Sequence, residues 1–78
     1  MPELVPLTAL RRGQIAEVGQ LLGEPEHIRR LEELGLRAGS RLEIIRSGAP
    51  CIVRVNDSKL CFRDDDALRV MVRIRMSA

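Results

Sequence analysis

The sequence predicts a mainly β protein: a small closed barrel of about five antiparallel strands with one α-helix. Three observations predict it. Five short stretches rich in branched and apolar residues, GQIAEVGQL, RLEIIR, CIVRV, KLCFR and RVMVRIR, are separated by turn chemistry. One stretch alone, EPEHIRRLEEL, carries helical periodicity, and a single helix cannot supply the crossovers that parallel strands need. The 78 residues leave room for one core, so a single domain over 1–78 is expected.

Taken in order, residues 1–13 read as an extended lead-in. Pro2 and Pro6 exclude helix, and Leu4, Val5 and Leu7 are available as anchors. GQIAEVGQLLG alternates imperfectly, which favours a strand with a bulge or bend near Gly19. A helix over about 25–34 follows. Pro25 suits its first position, where a missing N–H is no loss, and Glu24 and Glu26 complement the helix dipole. Ile28, Leu31 and Leu34 recur at i, i+3 and i+6 as one apolar stripe, while Glu26 can pair with Arg30 and Arg29 with Glu33. A helix this short does not persist alone, so its stripe must pack on something.

The remainder reads as β. SGAP and NDS supply turns between RLEIIR, CIVRV and KLCFR. RDDDALR predicts a short helical turn near 64–67, with Asp64 or Asp65 as its cap. The last stretch sets Val70, Val72 and Ile74 on one face. With Phe62 as the single aromatic, Leu, Ile and Val must supply the core. An SH3-like or OB-like barrel is the architecture that follows.

RRLEELGLRAGSRLEII, residues 29–45, places Gly35 and Gly39 between the helix and the next strand. A phosphate-binding loop needs the opposite order, strand before glycine before helix, so that free N–H groups face the anion. Gly35 is instead placed to end the helix in a left-handed conformation, with Leu36 closing onto Leu31. Gly39 is placed as the positive-φ residue of a turn into RLEII. The glycines turn a corner.

This corner resembles the helix–LG–x–x–x–G–strand segment of the FeoA family, small cytosolic SH3-like barrels of bacterial ferrous iron uptake. LRRGQIAEVGQL is similar to that family's opening L–x–x–G–x–x–x–x–V strand. KLCFRDDDALRVMV is similar to its close, at Leu60, Phe62, Arg63, Ala67, Val70 and Val72. Two departures concern surface loops. SGAP is shorter than the family's usual insertion, and Asp64–Asp66 are acidic where relatives often carry basic residues.

The chain offers no nucleophile–base–acid arrangement. Its one histidine, His27, lies in the helix and reads as solvent-facing or capping. Strand parity sets Cys51 with Val53 and Val55 facing inward, and Cys61 opposite to Leu60 and Phe62, facing outward. Opposite faces disfavour a disulfide, and the spacing does not suit zinc. No metal or cofactor is therefore expected. Three adjacent carboxylates at 64–66 do not converge on one cation without a shaped loop. Arg69, Arg73 and Arg75, with Arg11 and Arg12, could form a basic strip, but without aromatics to stack bases a nucleic-acid partner is not expected.

The bulk numbers narrow the setting. Hydrophobic residues at 45% argue against disorder, and a net charge of +2 does not by itself imply a polyanion partner. No apolar run approaches the roughly 20 residues that span a bilayer, and the N-terminus does not read as a secretion signal. Two cysteines without an export signal suggest a reducing compartment, so the cytoplasm is expected.

The resemblance implies an accessory protein without catalysis, docking on the cytoplasmic GTP-binding region of the FeoB transporter, and it leaves room for self-association. The candidate docking residues are Arg29, Arg30, Glu33 and Arg37, with Leu31 as a contact position that the family suggests and core packing claims more strongly. The alternative is a free-standing relative of the SH3-like domain of metal-dependent DtxR-type repressors, acting in trans. A small nucleic-acid-binding barrel is the third reading.

Overall fold

The computed structural model describes residues 3–48 and 50–77. Pro2 and Ala49 lie outside them, as do the side chains at 64, 76 and 77. Six strands form one antiparallel sheet in the order β1-β6-β2-β3-β4-β5, an SH3-like barrel. They are β1 (Val5–Pro6), β2 (Gln14–Leu21), β3 (Arg41–Arg46), β4 (Cys51–Val55), β5 (Ser58–Phe62) and β6 (Val70–Ser77). Helices α1 (Pro25–Glu33) and α2 (Asp64–Leu68) and a 3-10 turn at Leu7–Ala9 complete the fold.

The lead-in is the first correction. It is not uniformly extended: Val5 and Pro6 pair with Val72 and Met71 as a sixth strand, and the chain then coils through Leu7–Ala9. Pro6 itself stays extended, at the end of β1 and the N-cap of that coil, where its fixed φ is tolerated. Burying Leu7 and Leu10 on either side of the turn compensates for ordering it.

Strand β2 bends as its sequence predicts, for its register against β6 shifts between Val18 and Gln20. A second shift, between Ile15 and Ala16, turns Ala16 and Val18 into the core. The core draws on every strand except β1. Val18, Leu42, Ile44, Val53, Val70 and Val72 are all nearly inaccessible, and among the described residues no polar or charged side chain is buried.

Three further expectations are corrected at the ends of elements. Leu34 completes the predicted helical stripe, yet it is the C-cap of α1 and 46% exposed, while Leu31 is buried and Ile28 half-buried. Ile74 is likewise 46% exposed, because it sits at the register shift opposite Ala16, past the short cover of β1. At α2 the cap is Arg63 rather than Asp64 or Asp65, and no side chain caps it. The helix begins one residue early because the Arg63 carbonyl already accepts from the Ala67 N–H at 3.0 Å.

The corner after α1 follows the glycine pattern. Gly35 adopts φ 104° and Gly39 φ 92°. The Leu36 N–H donates to the Leu31 carbonyl at 3.0 Å, and the Gly35 N–H donates to the Glu32 carbonyl at 3.0 Å. These two bonds satisfy carbonyls that a helix end otherwise leaves open, and they bring Leu36 onto Leu31 in the core. A Cβ at Gly35 would meet Val55 at an ordinary 3.7 Å, so the backbone, not crowding, demands glycine. Gly35→Ala should therefore lower unfolding stability by about 1–2 kcal/mol, read as a shift in urea midpoint at unchanged m-value.

Candidate functional site

Helix α1 is held to the barrel by one buried residue and one tied corner. Only Leu31 of its nine residues is buried. Beyond Gly35, the Ser40 Oγ donates to the Gly35 carbonyl at 3.1 Å and accepts from the Arg37 N–H at 3.1 Å. The Ser40 N–H returns to the Arg37 carbonyl at 2.8 Å. The turn is then stitched to β2, with the Gly39 N–H donating to the Val18 carbonyl at 2.7 Å and the Val18 N–H donating to the Ser40 carbonyl at 2.8 Å. A Cβ at Gly39 would meet nothing within 4 Å, so its positive φ alone selects glycine.

Of the expected docking residues, Arg29, Arg30, Glu33 and Arg37 are exposed, while Leu31 turns inward and is 7% exposed. Arg37 is partly engaged, its Nε lying 3.5 Å from the Glu32 carbonyl at the helix end. The Glu26–Arg30 and Arg29–Glu33 pairs do not form. Among the described residues the ion pairs are Arg54–Glu43 at 3.7 Å and Arg73–Glu17 at 3.4 Å, both between strands. Exposed helix pairs return too little energy to hold two long side chains in place.

A groove of about 450 Å³ runs between α1, the end of β5 and α2. Leu31, Leu34 and Phe62 line it with apolar surface, and Arg30, Arg63 and Arg69 add three guanidiniums. His27, Cys61 and Asp66 also border it. Of the expected set, Arg30 and Leu31 reach this groove, whereas Arg29, Glu33 and Arg37 do not line it. Sequence reasoning missed Arg63 and Asp66 as neighbours of α1, since no local pattern reports the docking of α2 beside it.

The arginines considered as one strip are divided. Arg69 borders the groove, and Arg73 pairs with Glu17 across the β2–β6 ladder. Asp65 is exposed and Asp66 faces the groove, so neighbouring carboxylates of the acidic run diverge. Among the described residues no three His, Cys, Asp or Glu side chains group in a way that could hold a metal ion.

Cys51 is buried opposite Phe62, and Cys61 is exposed opposite Ile52, as strand parity predicts. Burial, with a smaller contribution from the Cys61 thiolate, pushes the Cys51 thiol above its ordinary value.

A FeoA domain model matches residues 5–74 of the chain. The chain belongs to the FeoA family. A FeoA protein from Chlorobium tepidum, solved in solution, is 35% identical with a TM-score of 0.84, over 92% of this chain and 71% of that one. A crystal structure of an iron uptake regulatory protein (FeoA) is 29% identical with a TM-score of 0.85, over 94% of this chain and 99% of that one. A manganese-dependent transcriptional repressor shares the fold at 19% identity and a TM-score of 0.86, with 96% of this chain spanning 44% of the repressor. No curated protein sequence matches this FeoA chain significantly.

The two thiols give this FeoA barrel a simple chemical signature. In the native protein one cysteine, Cys61, should react quickly with a thiol reagent at mildly alkaline pH, and the second only after denaturation. Mass spectrometry of the labelled peptides assigns the sites. Labelling of Cys51 at the native rate of Cys61 contradicts the inward parity.

Proposed function

We propose that the protein is a cytoplasmic accessory of ferrous iron transport, acting without catalysis by docking on the cytoplasmic GTP-binding region of a FeoB-type transporter. The observation that carries this reading is the family match over 5–74. The relative described as an iron uptake regulatory protein supports the iron-transport context. The docking face is α1 with its corner. A helix that buries one residue of nine presents the others to a partner, and its tied C-terminal end holds them at a fixed angle.

Arg29, Arg30, Glu33 and Arg37 form the exposed mixed-charge part of that face. Such residues at the rim of an interface steer encounter and fix register more than they add affinity. The alternative, acting in trans on a metal-dependent repressor, draws on a shared barrel at 19% identity, which supports the fold alone. The transporter reading is the stronger one.

Arg30 is exposed and, among the described residues, has no ion-pair partner, so Arg30→Glu should leave the fold intact. Binding to the purified transporter domain should weaken by roughly tenfold, measured by calorimetric titration with and without guanine nucleotide. An unchanged dissociation constant removes this face from the proposal. Repeating the titration with a hydrolysis assay reads whether docking alters nucleotide turnover.

A further inference from the structure

The groove between α1, β5 and α2 combines an apolar floor with an uneven distribution of charge. Its accessible apolar surface is mainly Leu34, 46% exposed, flanked by the edges of the buried Leu31 and Phe62. Around it stand Arg30 from α1, Arg63 at the N-cap of α2 and Arg69 at its C-cap. Among the described residues Asp66 is the single carboxylate in the lining. The ion pairs among the described residues lie elsewhere, on Arg54 and Arg73, so no described carboxylate lies within ion-pair distance of these three guanidiniums.

We propose that this groove binds an extended acidic segment of a partner protein, seating one apolar side chain on the floor and flanking carboxylates on Arg30, Arg63 and Arg69. Guanidinium is the cation suited to this, because its planar fork matches a carboxylate with two parallel hydrogen bonds. The volume of about 450 Å³ admits one large side chain with its neighbours. Asp66 favours peptide over polyphosphate. It repels any anion, but a peptide backbone, unlike a phosphate chain, can also offer it an N–H donor. Phe62 is the chain's one aromatic and forms part of the core, which leaves no platform for stacked bases.

The occupant is defined by chemistry alone, so the groove can hold an acidic segment whether or not the transporter domain is the partner. Cys61 borders the groove and is exposed, which supplies an internal reporter.

The test is fluorescence anisotropy with a labelled peptide of repeating Glu-Glu-Leu units, compared with peptides carrying Lys for Glu or Ser for Leu. The acidic leucine peptide should bind, the lysine peptide should not, and the serine peptide should bind roughly tenfold more weakly. Arg63→Glu, at an exposed position, should cost roughly tenfold with an unchanged circular dichroism spectrum. Saturating peptide should slow alkylation of Cys61 roughly tenfold or more by covering it. Equal binding of the acidic and basic peptides overturns the proposal, and so does an unaltered Cys61 rate at saturation or no binding at millimolar peptide. Peptide binding as expected, with no association to the transporter domain, would leave the groove standing and remove the docking reading instead.

Discussion

The reversal of the chain at Gly35 is the constraint on which the arrangement of this molecule depends. A nine-residue helix has too little internal cooperativity to stand alone, and α1 contributes one buried side chain to the core. The backbone does the rest. Positive φ at Gly35 lets the Leu36 N–H reach the Leu31 carbonyl, so Leu31 in the last turn of helix and Leu36 just past the glycine enter the core together. Ser40 and Gly39 then fasten the corner to β2. The C-terminal end of α1 is thus fixed to the barrel by the hydrogen bonds of its corner.

The same economy closes the barrel. The terminal strands of the sheet order, β1 and β5, are not joined by a ladder. Instead α2 packs against both β5 and the 3-10 turn that follows β1. Unpaired strand edges invite association with other chains, and covering one with a short helix is an established remedy. In this chain the remedy has a second effect. Placing α2 beside β5 sets Arg63, Asp66 and Arg69 across from Arg30, and so forms the far wall of the groove.

Much of this is legible in the sequence wherever the determining interactions are local. The corner is readable because a helix end, a glycine and the next apolar residue are neighbours in the chain. The opposite faces of Cys51 and Cys61 are readable because strand parity has a period of two and each strand carries its own apolar markers. Local pattern overreaches at the ends of elements. Leu34 and Ile74 continue their stripes in sequence, but the core ends before they do. The lead-in misleads because two residues are too few to show alternation, and its strand exists only through pairing with β6. The groove is illegible for a related reason. Its walls come from segments some thirty residues apart, and no periodicity reports which surfaces will meet.

Composition hides the groove as well. A net charge of +2 spread over a surface of 5362 Å² suggests a nearly neutral molecule. Charge on a folded surface acts locally, over roughly a Debye length of 8–10 Å at ordinary salt. Glu17 and Glu43 are committed to arginines on the strands, and among the described residues Asp66 alone shares the groove with three guanidiniums. The low-dielectric floor of Leu31, Leu34 and Phe62 strengthens whatever field those groups create. A chain balanced overall thereby carries a concentrated cationic site, and it is the placement of α2, rather than any excess of basic residues, that produces it.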